Sequence, residues 1–377
     1  MKIIKPKYKA IVAAISLLLP MTTHAVNNDD EIVIKDSTGY EIIFDVPDGL
    51  TPNIDDLLNE YNAKAYMRED SSCVNSGVNP YYPDSVYQDR LMRMPTDMEM
   101  PWNPIVQKFI DRYTGRGRRS VSFMLGAANF YMPIFEEALE AYGLPLELKY
   151  LPVIESTLRP KAQSPVGAAG LWQFMVATGK RYGLRVNSLI DERCDPVKSS
   201  YAAAHYLSDM YQIFGDWSLV IAAYNCGPGN ISKAIQRSGG QRDYWKIYPY
   251  LPAETRGYVP AFIAANYIMT YYCDHNICPM LNSLPVQTDT VMVFRNVHFQ
   301  QISKVLGIDI EQLRAFNPQY RRDIVTGYTE ATDIRLPKEY IPMFIDKEQE
   351  IYNYPVGNLM KRNQVDVNVG ATNRRRK

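Results

Sequence analysis

Regularly spaced apolar residues between about Trp102 and Tyr272 constrain the fold more than any other feature of this sequence. They recur every three or four residues, which is the period of amphipathic helices. Asp195-Pro196 joins a capping carboxylate to a proline at the first helical position, and Gly215 ends the same run. The pattern predicts a mainly helical domain, with helices near 105–113, 121–142, 196–214, 216–224 and 255–272, and a short helix capped by Asn230.

Other patterns flank this helical stretch. Residues 31–46 alternate apolar and polar side chains around Ser37-Thr38-Gly39, which predicts a β-hairpin. Residues 68–104 are rich in Pro, Asn, Asp and Ser, which indicates an extended lead-in. Beyond residue 285, a strand, two short helices and a closing strand predict a small separate βααβ domain; the segments are 288–295, 299–306, 310–316 and 333–336.

The first residues of the chain have the composition of a sorting signal, and the last residues have that of a disordered tail. Residues 1–25 combine four lysines, the apolar run Ala10–Leu19 and Thr23-His24-Ala25, which is the layout of a secretory signal peptide. A membrane-anchoring helix is the alternative reading, and no Cys stands at the cleavage point for a lipid anchor. Export across the inner membrane to the periplasm or cell envelope is therefore expected. Residues 346–377 are polar, end in Arg374–Lys377, and are expected to be disordered.

Charge and cysteine content exclude some classes of function. The net charge is +0, so no global field attracts nucleic acid. The five cysteines permit disulfides in an exported protein, and Cys273–Cys278 is the expected pair because a short loop joins them. No Cys/His spacing indicates zinc, and neither a metal nor an organic cofactor is implied.

Glu155 is the first candidate for chemistry. The apolar run Leu148–Ile154 ends at this carboxylate. It is either a surface residue on a last helical turn, or an acid held in a partly dry site that raises its pKa. Nearby Ser156 could orient the carboxyl or a substrate, and the small residues 167–170 allow close approach of another chain or ligand. Trp172 would supply an aromatic platform, and the amide of Gln173 could bond sugar hydroxyls. Tyr224 and Asn225 could reach a polar ligand from a helix end, and Tyr258 is a further Tyr.

These motifs resemble those of a known family. Glu155-Ser156, Gly170-Leu171-Trp172-Gln173, Ala223-Tyr224-Asn225 and Tyr258 follow the order and spacing of lytic transglycosylases of the soluble-transglycosylase (SLT) type, and 144–156 resembles the catalytic helix of its membrane-bound D-type members. The likeness implies a lysozyme-like α+β catalytic domain, Glu155 as catalytic residue, and Ser156, Gln173, Tyr224, Asn225 and Tyr258 as substrate-binding residues. The implied substrate is the glycan strand of peptidoglycan.

The C-terminal segment resembles a LysM module, a glycan-binding domain. Ile302, Leu306, Gly307-Ile308-Asp309, Asn317-Pro318 and Ile334–Pro337 follow its skeleton, although Asn296-Val297 replaces the usual Gly-Asp. The expected organisation is a signal peptide (1–25), a hairpin and lead-in (26–84), a catalytic domain (85–280), a LysM-like domain (287–345) and a disordered tail (346–377).

The family resemblance implies a mechanism with one carboxylate. Glu155 would protonate the leaving oxygen of the MurNAc–GlcNAc β-1,4 bond, and the C6 hydroxyl of the same MurNAc would attack C1 to give a 1,6-anhydro sugar. Two alternatives stay open. A goose-type lysozyme would need a second carboxylate, and a non-catalytic wall-binding protein would work through its LysM-like domain alone. Peripheral contact with the envelope membrane and the oligomeric state are also open; the candidates for a second carboxylate are Asp191, Glu192, Asp195, Asp216 and Glu254.

Overall fold

The computed structural model describes residues 31–35, 41–47, 66–73, 77–328 and 330–360. Strands β1 (Glu31–Lys35) and β2 (Glu41–Asp45) pair in antiparallel register, with Val33 opposite Ile43. The pairing confirms the strands of the predicted hairpin. Its turn at Ser37-Thr38-Gly39, the signal peptide and residues 361–377 lie outside the described residues.

The segment expected to be an extended lead-in contains regular structure. After strand β3 (Met67–Arg68), helix α1 covers Asp84–Met92, so that part of the prediction is wrong. Only Tyr87 and Leu91 of α1 are buried, which leaves too sparse an apolar pattern to reveal a helix in the sequence.

The predicted helical stretch is confirmed with small shifts at the ends. Asp195 caps its helix through the backbone N–H groups of Val197 and Lys198, as its sequence indicates. Asn230 is not a cap, because the helix there begins at Pro228 with Gly227 before it. The helices are α2 (Pro104–Thr114), α3 (Arg118–Ala141), α4 (Leu151–Ser156), α5 (Val176–Arg181), α6 (Pro196–Phe214), α7 (Trp217–Cys226), α8 (Pro228–Arg237), α9 (Tyr244–Ile247) and α10 (Ala253–Tyr271).

Helix α10 forms the centre of this domain. It packs against α2, α7 and α4, and nearly all of its side chains from Gly257 to Met269 are buried. Because α4 carries Glu155 and α10 carries Tyr258, this packing sets the distance between the two residues. No helix among the described ranges has both the length and the hydropathy needed to cross a bilayer.

A small unit with strands and helices follows strand β4 (Leu281–Asn282). Its two sheets are antiparallel pairs, β5 with β8 and β6 with β7. The mainly helical chain with this small C-terminal unit confirms the predicted fold class. Its elements are β5 (Thr288–Val293), β6 (Val297–His298), α11 (Phe299–Leu306), α12 (Ile310–Phe316), β7 (Ile324–Val325), β8 (Thr332–Pro337), α13 (Tyr340–Asp346) and α14 (Glu348–Asn353).

Two expectations about the C-terminal half need correction. Residues 348–353 are helical rather than disordered, because Ile351 is buried in the small unit and Gln301 donates to the Ile351 carbonyl. Cys278 forms its disulfide with Cys73 rather than with Cys273, which is free and exposed. The two bonded cysteines are 205 residues apart. Pairing of β3 with β4 brings their segments alongside each other, and the sequence gives no sign of that contact.

Candidate active site

Glu155 lies at the end of α4 on the one face of that helix that is not fully buried. Leu151, Pro152, Val153, Ile154 and Ser156 are all buried, whereas Glu155 is partly exposed. The apolar residues therefore anchor the helix in the core, while the Glu155 carboxylate on its last turn stays partly exposed.

The backbone turns sharply directly after Glu155. Thr157 and Leu158 both have positive φ angles, of 55° and 58°. Consecutive left-handed residues other than glycine are strained and persist only where their surroundings hold them, as occurs often at active sites. Here the N–H groups of Thr157 and Leu158 bond the carbonyls of Val153 and Pro152, at 3.3 and 3.2 Å. The turn ends the helix immediately after the carboxylate and fixes its position.

Tyr258 reaches Glu155 from α10. Its hydroxyl donates a hydrogen bond to Oε1 of Glu155, and its side chain is 2% exposed. Burial, and then the negative charge of Glu155, raise the pKa of Tyr258 well above its usual value. The phenol therefore stays neutral and acts as a hydrogen-bond donor to the carboxylate.

Tyr224 is a second phenol beside the same carboxylate. Burial raises its pKa well above the usual value, and the charge of Glu155 adds to the rise. Its hydroxyl donates to the carbonyl of Trp172 at 2.7 Å, which ties α7 to the 167–174 loop. Tyr206, which sequence reasoning missed, packs its ring 5.6 Å from that of Tyr224. Its only sequence signal was a place in the periodic run of α6.

Two residues predicted to face a ligand are buried instead. Ser156 is completely buried, and its hydroxyl donates to the carbonyls of Pro152 and Leu171, at 3.0 and 2.9 Å. These bonds join the Glu155 helix to the loop. Trp172 is also fully buried; its indole N–H donates to Ser200 at 2.9 Å, and its ring packs edge-on against Phe135. It is a core residue and not a sugar platform.

Gln173 projects from a strained position in the same loop, with φ of 48°. Its side-chain amide donates to the carbonyl of Gly170 at 2.8 Å. Position 170 requires a glycine, because its φ is 88° and a Cβ there would lie 1.8 Å from the carbonyl oxygen of Arg193. The small-residue run thus permits close approach of another segment of the chain, which was one of the two sequence interpretations.

Asn225 is exposed at the end of α7. Its Oδ1 accepts a hydrogen bond at 2.9 Å from the hydroxyl of Thr255, a buried residue of α10 that sequence reasoning did not identify. The amide NH₂ of Asn225 offers two donors that could bond a ligand. Glu155, Gln173, Tyr224, Asn225 and Tyr258 thus belong to one region built from α4, the loop, α7 and α10.

Four of the five alternative carboxylates have structural roles. Asp191 and Glu192 are buried and paired with arginines or Lys198, while Asp195 and Asp216 cap α6 and α7. Glu254 differs, because it is exposed in the first turn of α10, four residues before Tyr258. On a helix that spacing puts both side chains on the same face. Of these five carboxylates, Glu254 is therefore the best candidate for a rival two-carboxylate mechanism.

Metal and thiol chemistry find no support among the described residues. That part of the chain holds no group of three or more His, Cys, Asp or Glu side chains able to bind a metal ion. Cys226 is partly buried next to Asn225, and burial raises the pKa of its thiol. A raised pKa keeps the thiol protonated and unreactive near neutral pH.

Two family models match the chain. Residues 132–247 match the transglycosylase SLT domain, and residues 287–353 match the LysM-like domain of the lytic transglycosylase MltD. The first match includes Glu155 and the second extends through α14. The resemblances to an SLT domain and to a LysM module are thereby confirmed.

Relatives with known names agree with these matches. The chain is 31% identical over 230 residues to membrane-bound lytic murein transglycosylase D of Escherichia coli K12, a match that covers 58% of this chain and 49% of that one. It thus spans about half of that relative's length. It is 35% identical over 124 residues to the soluble lytic murein transglycosylase of the same organism, covering 31% and 19%. Superposition on the crystal structure of the 70 kDa soluble lytic transglycosylase from Escherichia coli gives a TM-score of 0.35 at 28% identity, covering 46% of this chain and 28% of that chain.

Proposed function

We propose that this protein is a peptidoglycan lytic transglycosylase that cleaves the MurNAc–GlcNAc β-1,4 bond with Glu155 as its catalytic acid and base. The observation that carries the proposal is the Glu155 carboxyl at the end of a buried helix, with the Tyr258 hydroxyl donating to it. The SLT domain match around Glu155 and the names of the relatives support the same reaction.

In the first step, Glu155 donates a proton to the glycosidic oxygen as the C1–O bond of MurNAc breaks, and GlcNAc leaves with a free hydroxyl. Positive charge then develops on the MurNAc ring. In the second step, the C6 hydroxyl of the same ring attacks C1, and its proton returns to Glu155. The product is a 1,6-anhydro sugar, and the enzyme regains its starting protonation state without activating water.

The phenol next to Glu155 suits both steps. When Glu155 is ionised, the Tyr258 hydroxyl stabilises the carboxylate by donating to it, and its raised pKa keeps that donor protonated. The attacking hydroxyl is part of the substrate ring, so it has a high effective concentration once the ring is distorted. Gln173, Asn225 and Tyr224 lie where they could position the sugar and its peptide.

The C-terminal LysM-like domain and the expected export signal support an activity in the cell envelope. We propose that the domain binds glycan, that residues 1–25 direct export, and that the enzyme works on the wall from the periplasm. Peptidoglycan strands are then its partner and substrate.

Digestion of purified peptidoglycan tests the reaction. We expect the protein to release muropeptides one water lighter than hydrolysis products, with ends that borohydride does not reduce, and Glu155→Gln to release almost none. Glu254→Gln is the matched control, since it removes a carboxylate from the same region. Reducible ends that disappear with Glu254→Gln would identify a hydrolase with two carboxylates. Retained glycan binding without any release would identify a wall-binding protein.

A further inference from the structure

The LysM-like domain is joined to the catalytic domain by more than surface contact. Ile190 of the catalytic domain and Tyr320 of the LysM-like domain form an antiparallel bridge. Around it, the N–H of Asp191 donates to Gln319 O at 2.9 Å, and the N–H of Arg321 donates to Leu189 O at 2.7 Å. Leu189 and Ile190 are buried in the apolar core of the LysM-like domain. The segment 187–193 therefore belongs structurally to both domains.

A buried ionic network leads from this bridge towards the active site. Asp191 accepts from both Nε and Nη2 of Arg193, at 2.9 and 2.8 Å. The same carboxylate also accepts from the guanidinium of Arg321, which belongs to the LysM-like domain. The side chains of Asp191 and Arg193 are 2% and 4% exposed. Burial alone raises the pKa of Asp191, but the hydrogen bonds and charges of Arg193 and Arg321 outweigh it and bring the pKa below its usual value.

The same guanidinium of Arg193 also bonds the 167–174 loop. Its Nη1 donates to the carbonyls of Gly167 and Phe174, at 2.8 and 2.9 Å, and so bridges the two ends of the 167–174 segment. Its own carbonyl lies against Gly170. Between these points the loop bears Gln173 in its strained conformation and offers the Leu171 and Trp172 carbonyls to Ser156 and Tyr224.

We propose that the LysM-like domain sets the conformation of the catalytic loop, and that Arg321 is a positioning residue acting through Asp191 and Arg193. The physical reason is that Arg193 is buried with its charge balanced by one carboxylate, and Arg321 fixes that carboxylate from outside the catalytic domain. Without Arg321, Asp191 and Arg193 keep their pair but lose one restraint on its orientation. The loop that bears Gln173 then samples more conformations, and fewer of these fit a glycan strand.

The experiment compares two neighbouring arginines in the full-length protein. Arg321→Gln removes the contact with Asp191, whereas Arg322→Gln removes one charge from an exposed side chain next to it. Hydrogen–deuterium exchange of the 167–174 amides is measured together with kcat and KM on peptidoglycan. We expect Arg321→Gln to speed loop exchange and lower kcat about tenfold with little change in KM, while Arg322→Gln matches wild type. Arg321→Lys keeps the positive charge, so it should retain most of the wild-type kcat and most of the slow amide exchange of the loop.

Three other results would contradict the proposal. Equal behaviour of Arg321→Gln and Arg322→Gln in both measurements would overturn the proposal. So would faster exchange throughout β5 and β8, because that would mean general unfolding of the LysM-like domain. A fall in kcat without a change in loop exchange would also contradict it. The kinetic measurement rests on the proposed function, but the hydrogen–deuterium exchange measurement does not. If the wild type were inactive, exchange of the 167–174 amides would still test whether Arg321 restrains the loop.

Discussion

Two carboxylates, Glu155 and Asp191, each lie next in space or sequence to a residue that bonds the 167–174 loop, and their surroundings are opposite. Asp191 is buried between the guanidinium groups of Arg193 and Arg321, and its pKa lies below the usual value. Glu155 is partly exposed and accepts a hydrogen bond from the neutral phenol of Tyr258. A carboxylate between two cations stays ionised and stabilises the folded structure. A partly exposed carboxylate with a phenol donor beside it is the kind of group that general acid–base catalysis uses.

The largest effects are expected when the negative charge of Glu155 or of Asp191 is removed. Glu155→Gln should lower muropeptide release by about 10²–10⁴-fold and leave the free energy of unfolding nearly unchanged. Asp191→Asn should instead destabilise the protein by about 3–5 kcal/mol, because it leaves Arg193 buried without its counter-charge. Activity assays and urea denaturation of both variants test whether Glu155 serves mainly activity and Asp191 mainly stability. An Asp191→Asn variant as stable as wild type would remove the contrast.

Removing the phenol hydroxyl beside Glu155 should sharpen the comparison. We expect Tyr258→Phe to lower kcat about 10- to 100-fold, because a preorganised donor to the carboxylate is lost. Tyr224→Phe is the matched control, since that hydroxyl donates to the Trp172 carbonyl and not to Glu155. Steady-state kinetics on peptidoglycan measure both. Equal losses in the two variants would mean that the Tyr258–Glu155 bond has no special role.

A buried histidine provides a neutral counterpart to Asp191. His275 is completely buried; its Nδ1–H donates to Asn79 Oδ1 at 2.8 Å, and its Nε2 accepts from Tyr267 at 2.9 Å. Burial, and then the charge of Arg90, lower the pKa of His275 from 6.5 to about 4. Below pH 6.5 the unfolded chain binds a proton that the folded protein does not, so stability falls as the pH drops towards 4.

This titration should cost the wild type about 1–3 kcal/mol of unfolding free energy between pH 6.5 and 4. His275→Gln should be less stable at pH 7 but lose less on acidification. Urea denaturation at several pH values measures the two slopes. Parallel slopes would show that His275 does not govern the acid sensitivity.

The smallest effect is expected at the edge of the domain interface. Arg185 and Glu330 form a pair at 2.9 Å between the two domains, but Glu330 is well exposed. Glu330→Gln should change the unfolding free energy by less than about 1 kcal/mol, in contrast to Asp191→Asn at the same interface. Denaturation at low and high salt checks this. A larger, salt-sensitive loss would mean that the exposed pairs, and not the buried network, hold the domains together.

Sequence reasoning succeeded where the signals are local. The cap at Asp195, the end at Gly215 and the bounds 299–306 and 310–316 all follow from side chains within a few residues of each other. It failed for α1, whose apolar pattern is too sparse, and for the cap proposed at Asn230, where a proline two residues earlier starts the helix.

The sequence by itself determined the mainly helical domain, the small βααβ unit and Glu155 as the candidate acid, since each depends on short-range periodicity or on a compact motif. Tertiary structure alone decided the Cys73–Cys278 disulfide, the burial of Ser156 and Trp172, and the contact of Arg321 with Asp191. These contacts join segments up to 205 residues apart. Long-range packing brings such segments together, and neither spacing nor composition records which of them will meet.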